Sequence, residues 1–311
     1  MDRVDLVIAR DLGQPIDPNL SVPVELAEIA NVETAEPGEL VRIFDCTDED
    51  ANADDIYSAD ANGKLTLHKV SAVTPATLTF VGLQSKLEYV LINEVLPAAD
   101  QNALARKKAG ISRGMDKQEV KRVCDAILAL DGDTGEADCE TVQGSNDDLY
   151  DLIVAMVHQV EDYATDYVLL AGSSVKEAID VYDKVNADNF NYRVGLDEYL
   201  RKAGITVIKV VGTVNSGAIL NTSKMILVGR NSKLAVGRPI TFVRRKFSKE
   251  IAALMNVTED SPVRAISVAQ APTIIAADTN SNLLGYGVFG YESIIEAITN
   301  YRAISWSTYT A

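Results

Sequence analysis

"GRPITFVRRKF", residues 237 to 247, sets four cations, Arg238, Arg244, Arg245 and Lys246, around a short run, "ITFV", that reads as a β-strand. The chain that holds it is acidic, with 45 carboxylates against 29 lysines and arginines and a formal net charge of −16 over 311 residues. The charge is divided along the sequence: residues 1 to 200 carry −23 and residues 201 to 311 carry +7. Between Arg201 and Lys249 there are eleven cations and no carboxylate. The opposite extreme is "DCTDEDANADD", residues 45 to 55, with six carboxylates and no cation. Such a split has three readings: two solvated faces, a nucleic-acid surface, or a positive segment that meets the negative one in the same chain or in a neighbouring copy.

A chain of this length buries roughly three quarters of its unfolded surface and needs no staples to hold a core. Its three cysteines, Cys46, Cys124 and Cys139, are odd in number and far apart. They form neither a disulfide framework nor a zinc site and point to a reducing compartment. The start, "MDRVDLVIARDLGQP", lacks the basic end and apolar run of a secretory signal, and no stretch approaches the ~20 apolar residues that span a bilayer. The expectation is a soluble protein made in the cytoplasm, with no membrane partner.

Periodicity and breakers then divide the chain. Residues 1 to 38 hold Pro15, Pro18, Pro23 and Pro37 and read as an extended arm rather than a packed unit. Residues 39 to 96 read as a β-excursion built from "LVRIF", "KLTLHKV" after an Asn62-Gly63 turn, and "ATLTFVGL". A two-stranded ribbon is marginal alone in water, so arm and ribbon both need a surface to lie on. In "MDKQEVKRVCDAILAL", residues 115 to 130, Val120, Val123, Cys124, Ile127 and Leu128 give a helix with one buried stripe. Gly110 and Gly114 are expected to shorten or kink it. Further helices are expected after Ser145, with Asp148 in the capping-box position, and after Ser174, with Glu177 in that position, then over "LDEYLRKAG". Strands are expected at "YVLLAG", "ITVIKVV", "KMILVG", "ITFVRRKF" and "RAISVAQAPTIIA", a closing helix around "YESIIEAI", and a last strand in "YRAISWSTY". The fold class is α+β with mixed sheets and no internal repeat.

The sequence offers no recognisable chemistry. Gly285-x-Gly287-x-x-Gly290 matches a dinucleotide-binding spacing, but no strand runs into its first glycine and no acidic residue lies about twenty positions on. A loop or close backbone packing explains it better. The stretch from Asp131 places Gly135 and Glu136 where a calcium loop needs a ligand and a glycine. The stretch from Asp48 has Ala53 in the glycine's place and Ala59 in that of the bidentate glutamate. His68 and His158 have no nucleophile elbow or reactive cysteine to serve. No catalytic, cofactor or metal residue is assigned.

The order of elements, with segments such as "AGITVIKVVG" and "GRPITFVRRKF", resembles the major capsid protein of tailed bacteriophages, the Hong Kong 97 type fold. The resemblance covers nearly the whole chain and rests on topology and weakly patterned segments, not on an invariant motif. It implies an N-terminal arm over 1–38, an E-loop β-hairpin over 39–96, and the spine helix and peripheral domain over 97–146. The axial domain would span 147–285, and 286–311 would return to the peripheral domain. It further implies a subunit, not an enzyme, that assembles with itself into pentamers and hexamers of an icosahedral capsid. Such a capsid encloses double-stranded DNA without reading its sequence. Scaffold, portal and decoration proteins are further partners, and the virion is its location.

On that reading the acidic E-loop, through Asp48, Glu49, Asp50, Asp54 and Asp55, is expected to dock on Arg244, Arg245, Lys246 and Lys249 of a neighbouring subunit. Lys64 and Lys69 lie where some relatives crosslink their subunits through a lysine, but no partner asparagine is identifiable. The alternatives are an encapsulin-type nanocompartment shell, a nucleic-acid-binding protein using the 201–249 segment, or an enzyme whose site the sequence does not mark. Particle contents, salt-sensitive DNA binding by the isolated subunit, and a ligand or metal in an axial-domain pocket separate these.

Overall fold

The computed structural model describes residues 22–43, 76–86, 88–91, 103–132, 138–145, 148–186, 194–232, 237–254, 263–268, 273–278 and 281–310. A short helix, α1 (Val24–Ile29), leads into β1 (Ala30–Ala35). Two short strands, β2 (Arg42–Ile43) and β3 (Ala76–Thr77), pair antiparallel, and β4 (Val81–Gln84) and β5 (Glu88–Leu91) follow. The long helix α2 (Ala103–Leu128) precedes α3 (Leu149–Val160), β6 (Ala164–Ala171), α4 (Ser173–Val185), α5 (Leu196–Lys202) and β7 (Ile205–Lys209). A hairpin of β8 (Thr213–Val214) and β9 (Gly217–Ala218) comes next, then β10 (Lys224–Ser232), β11 (Ile240–Arg245) and α6 (Lys249–Leu254). The chain ends with β12 (Arg264–Val268), β13 (Thr273–Asp278), β14 (Ser281–Ile298), a 3₁₀ turn at Tyr301–Ala303 and β15 (Ile304–Thr308).

The expected α+β class is met, with one reversal. The stretch "YESIIEAI" is strand, not helix: β14 is an 18-residue strand. Ile294, Ile295 and Ile298 fit a helical spacing, but Val288, Gly290, Glu292 and Ile294 are buried at every second position, which is the period of a pleated strand. β14 carries partners along both edges. β13, β12 and β11 follow one another along one edge, while β5 and β4 occupy the other. β1 joins outside β11 in parallel, with Ala30 opposite Ile240. Residues 22–35 are therefore core, not overlying arm, and Leu26, Ile29, Ala30 and Ala35 are buried.

A second sheet, ordered β15-β10-β6-β7, is buried on both faces. Val168, Leu170, Ile226 and Val228 point into a core shared with α1, α2 and β11, while Leu169, Ala171, Met225 and Leu227 point into one formed with α3, α4 and α5. The segment 147–285 thus feeds both sheets, and a boundary at 285 would cut β14. The C-terminal strand β15 completes the second sheet, with Trp306 opposite Ile226.

Two caps differ from expectation. α3 is capped by Asp148, which accepts from the Asp151 amide at 3.0 Å, and not by Ser145. α4 starts at Ser173, and the amides of Ser174 and Val175 donate to the Thr222 carbonyl at 3.1 and 3.2 Å. Gly172 permits that approach, because a Cβ there would lie 2.2 Å from the Asn221 carbonyl oxygen.

Helix α2 runs unbroken through Gly110 and Gly114. Glycine costs roughly 1 kcal/mol in a helix interior, and the sheet packing beneath offsets that. It lies over β14, with Ile111, Met115, Val120, Val123, Cys124 and Ile127 buried. Gly290 sets the spacing: a Cβ there would come within 2.6 Å of Met115 Sδ and 2.7 Å of Ile111 Cγ2. Gly290→Ala should destabilise the fold by about 1–3 kcal/mol, and Met115→Ala in the same chain should recover part of that loss. Denaturant unfolding of the two single variants and the double variant measures both.

Candidate functional site

Several of the cations between Arg201 and Lys249 meet carboxylates and carbonyls of their own chain. Arg230 pairs with Glu28, and Arg238 donates to the carbonyls of Ala27 and, at 2.9 Å, Ala30. Arg245 donates to the Glu39 carbonyl at 2.8 Å, and its guanidinium lies 3.6 Å from the centroid of the Phe80 ring. Lys246 reaches Glu36 at 2.5 Å. Lys249 opens α6 and is exposed. The positive stretch therefore fastens residues 27–39 to β11 and the foot of the β2/β3 pair. Asp48, Glu49, Asp50, Asp54 and Asp55 lie outside the described residues.

Arg244 corrects the sequence reading most sharply. It is buried, and its Nε and Nη2 fork onto the two carboxylate oxygens of Glu119 at 2.8 and 2.6 Å. A side chain so placed cannot face a neighbour's acidic run. It belongs to a cluster packed between α2 and the sheet. Arg264 donates through Nε to Glu292 at 2.5 Å and through Nη1 to Asp116 at 2.7 Å. The same Nη1 reaches the carbonyl and hydroxyl of Ser112, each at 3.0 Å, and Nη2 lies 3.4 Å from Glu119.

Local structure brings these five charges together. Ser112, Asp116 and Glu119 stand at i, i+4 and i+7 on one face of α2. Arg264 and Glu292 are cross-strand partners in the β12/β14 register, and Arg244 pairs with Ile294 two positions along β14. Arg264, Glu119 and Glu292 are essentially inaccessible to water, whereas Asp116 is partly exposed. Removing one member leaves a buried charge uncompensated, at a typical cost of about 3–5 kcal/mol.

Glu292 is the least satisfied member. Its Oε1 is buried with no hydrogen-bond partner, as is Arg264 Nη2. Burial, and next the nearby Glu119 carboxylate, raise its pKa from the ordinary glutamate range to about 7, against the pull of Arg264. The folded chain thus holds this proton more tightly than the unfolded chain. The resulting stability is complete below pH 4.5 and is lost as pH rises towards 7.

The other candidates have structural roles. Gly285, Gly287 and Gly290 lie within β14, so the nucleotide-like spacing marks close packing. Burial pushes the thiols of Cys124 and Cys139 up to about 12, so neither is a reactive thiolate at neutral pH. His158 is exposed beside Glu161 at 2.9 Å, while His68 lies outside the described residues. No group of three or more potential metal-ligating side chains occurs among the described residues. No helix among them is long and apolar enough to cross a membrane.

Sequence reasoning missed Asp116, Glu119, Arg264 and Glu292. A signal for the first two was present, since they share a helix face with Ser112 and flank the apolar stripe. Glu292 and Arg264 carry no such mark, because a single charge in a strand normally faces water.

No family model and no curated protein sequence matches the chain. Solved structures do. One described as Microbacterium phage Oxtober96 superposes with a TM-score of 0.56 at 14% identity, covering 96% of this chain and 94% of that one. Another, described as Mycobacterium phage Adephagia, gives 0.55 at 14% identity, with coverage of 100% and 98%. The chain has the Hong Kong 97 type fold. The SrpI encapsulin complex from Synechococcus elongatus also aligns with this Hong Kong 97 type chain, with a TM-score of 0.49 at 10% identity, covering 97% and 94%.

The cluster separates two neighbouring arginines of this Hong Kong 97 type subunit. Arg244→Glu puts a third carboxylate beside Glu119 and should unfold the subunit or cost it about 3–5 kcal/mol. Arg245→Glu, at the partly exposed rim, should cost about 1 kcal/mol or less. Circular dichroism during urea titration of both variants checks the contrast.

Proposed function

We propose that the chain is the shell subunit of a phage capsid, assembling with itself into pentamers and hexamers of an icosahedral container for double-stranded DNA. The observation that carries this reading is the Hong Kong 97 type fold over the full length of both compared chains, with the two phage structures the ones that support it. In that frame α2 is the spine helix, the β2/β3 foot and β4 belong to the E-loop, and the sheet around β14 belongs to the peripheral domain. The sheet of β15, β10, β6 and β7 with its helices is the axial domain. Residues 1–21 and the acidic run 45–55 are the segments through which neighbours are held. That run would meet the exposed rim of the positive segment, at Arg245, Lys246 and Lys249, without Arg244. Scaffold, portal and decoration proteins are proposed further partners.

The net charge of −16 supports a container rather than a condenser. An inner surface that gripped phosphate at many points would resist genome packing and release. The test is negative-stain microscopy of the purified full-length protein, with nuclease treatment of its contents. Closed shells of capsomers whose contents are DNA are expected from infected or induced cells. A protein that stays monomeric at high concentration contradicts the shell reading, and closed shells filled with a cargo protein contradict the phage assignment. Changing Asp48, Glu49 and Asp50 together to lysine should lower particle yield in sedimentation while leaving the subunit folded.

A further inference from the structure

Arg264 is shared between two elements that could move apart. On the sheet side it bonds Glu292, while on the helix side it bonds Ser112 and Asp116 and lies against Glu119. The charged groups around Glu292 are Glu119 and Asp116 from α2, Arg244 from β11 and Arg264 from β12. The position of β4 paired with it holds Leu83, which does not titrate. With Glu292 neutral, two guanidinium groups face two carboxylates. With Glu292 ionised they face three, inside a site from which water is largely excluded, where an unbalanced charge is costly.

The opposite side of the helix is open. At 100° per residue, Gly110 and Gly114 stand roughly 180° and 140° round the helix from Glu119. A Cβ added to either would meet nothing within 4 Å. A cavity of about 640 Å³ lies along the flank of the helix between α2 and β4, lined by Gly82, Gln84, Gly110, Ile111, Gly114 and Met115 among others. The helix therefore has the charge cluster on one face and open space along the neighbouring flank.

We propose that the Arg264 cluster is a proton-operated latch on α2: a proton on Glu292 leaves Arg264 to hold the helix, and its loss draws Arg264 to the strand, repels Glu119 and frees the helix towards the cavity. Both effects of ionisation act in one direction. The new carboxylate competes with Ser112 and Asp116 for the same guanidinium, and it places a like charge beside the carboxylate that anchors Arg244. The hydrophobic contacts of Val120, Val123 and Ile127 lie further along the helix and stay in place, so the released part is residues 103–119, whose buried Ile111 and Met115 must shift on β14 as it loosens. This inference concerns the single subunit and does not rest on the shell reading.

Amide hydrogen exchange of the full-length chain, corrected for the intrinsic pH dependence of exchange, tests it. Residues 103–119 should lose protection by at least about tenfold between pH 5 and pH 8, the effect of one pKa unit or more of linkage. Glu292→Gln, which keeps the shape and cannot ionise, should retain the acid-level protection at both pH values. Equal protection of the unaltered chain at both pH values, or an equal loss in the Gln variant, would overturn the proposal. A second measurement needs no variant: the side-chain carboxyl carbon of Glu292, followed by NMR, should titrate well above the ordinary glutamate range. Titration within that range would overturn it too.

Discussion

The buried contact between α2 and the sheet is the constraint on which the other contacts depend. Burying Arg264 against Glu292 is tolerable only if the helix supplies Ser112, Asp116 and Glu119, and Glu119 is tolerable only if β11 supplies Arg244. Each partner fixes the register of the next. β11 must align with β14 for Arg244 to reach the cluster, and β1 must then align with β11. Hydrophobic burial along Val120, Val123 and Ile127 supplies most of the attraction, while the ionic cluster selects one placement of the helix among those the apolar stripe would allow.

The same construction explains the lopsided charge. Part of the acidic first half meets part of the basic later segment directly, Glu28 with Arg230, Glu36 with Lys246 and Glu119 with Arg244. Long-range pairs of opposite sign tie the beginning of the chain to its middle, and Arg238 and Arg245 add bonds to main-chain carbonyls. A shell subunit of the proposed kind needs this stiffness. Its neighbours would pull on projecting segments, and the load would reach the core through β1 and β4, which join the sheet around β14, and through the foot of the ribbon, which packs against it.

Much of the fold was legible because its signals are local. Short apolar runs, "YVLLAG" and "KMILVG", marked β6 and β10, and the stripe from Val120 to Leu128 marked the second half of α2. β14 was misread because its isoleucines fit two periods at once, and the deciding fact, Gly290 lying under Met115, is a contact distant in sequence. Residues 24–35 looked like part of an arm because Pro23 and Pro37 flank them and the strand that receives them is not visible in the sequence. The charge split suggested a positive segment meeting a negative one; Arg230, Lys246 and Arg244 meet Glu28, Glu36 and Glu119 of the same chain, and composition could not distinguish a partner in the same chain from one in a neighbour. The buried cluster was hidden for a similar reason: Arg264 and Glu292 become improbable only once both are known to face a helix.

The central claim is that Glu119 and Arg244 form a buried, mutually dependent pair that fixes α2 on the sheet. A double-mutant cycle of Glu119→Gln and Arg244→Leu, measured by denaturant unfolding of the full-length subunit, tests it directly. The structure predicts a coupling of about 2 kcal/mol or more, because either change alone strands a buried charge that the double variant no longer contains. Additive effects within about 0.5 kcal/mol would contradict it, since that is the behaviour of residues that do not touch.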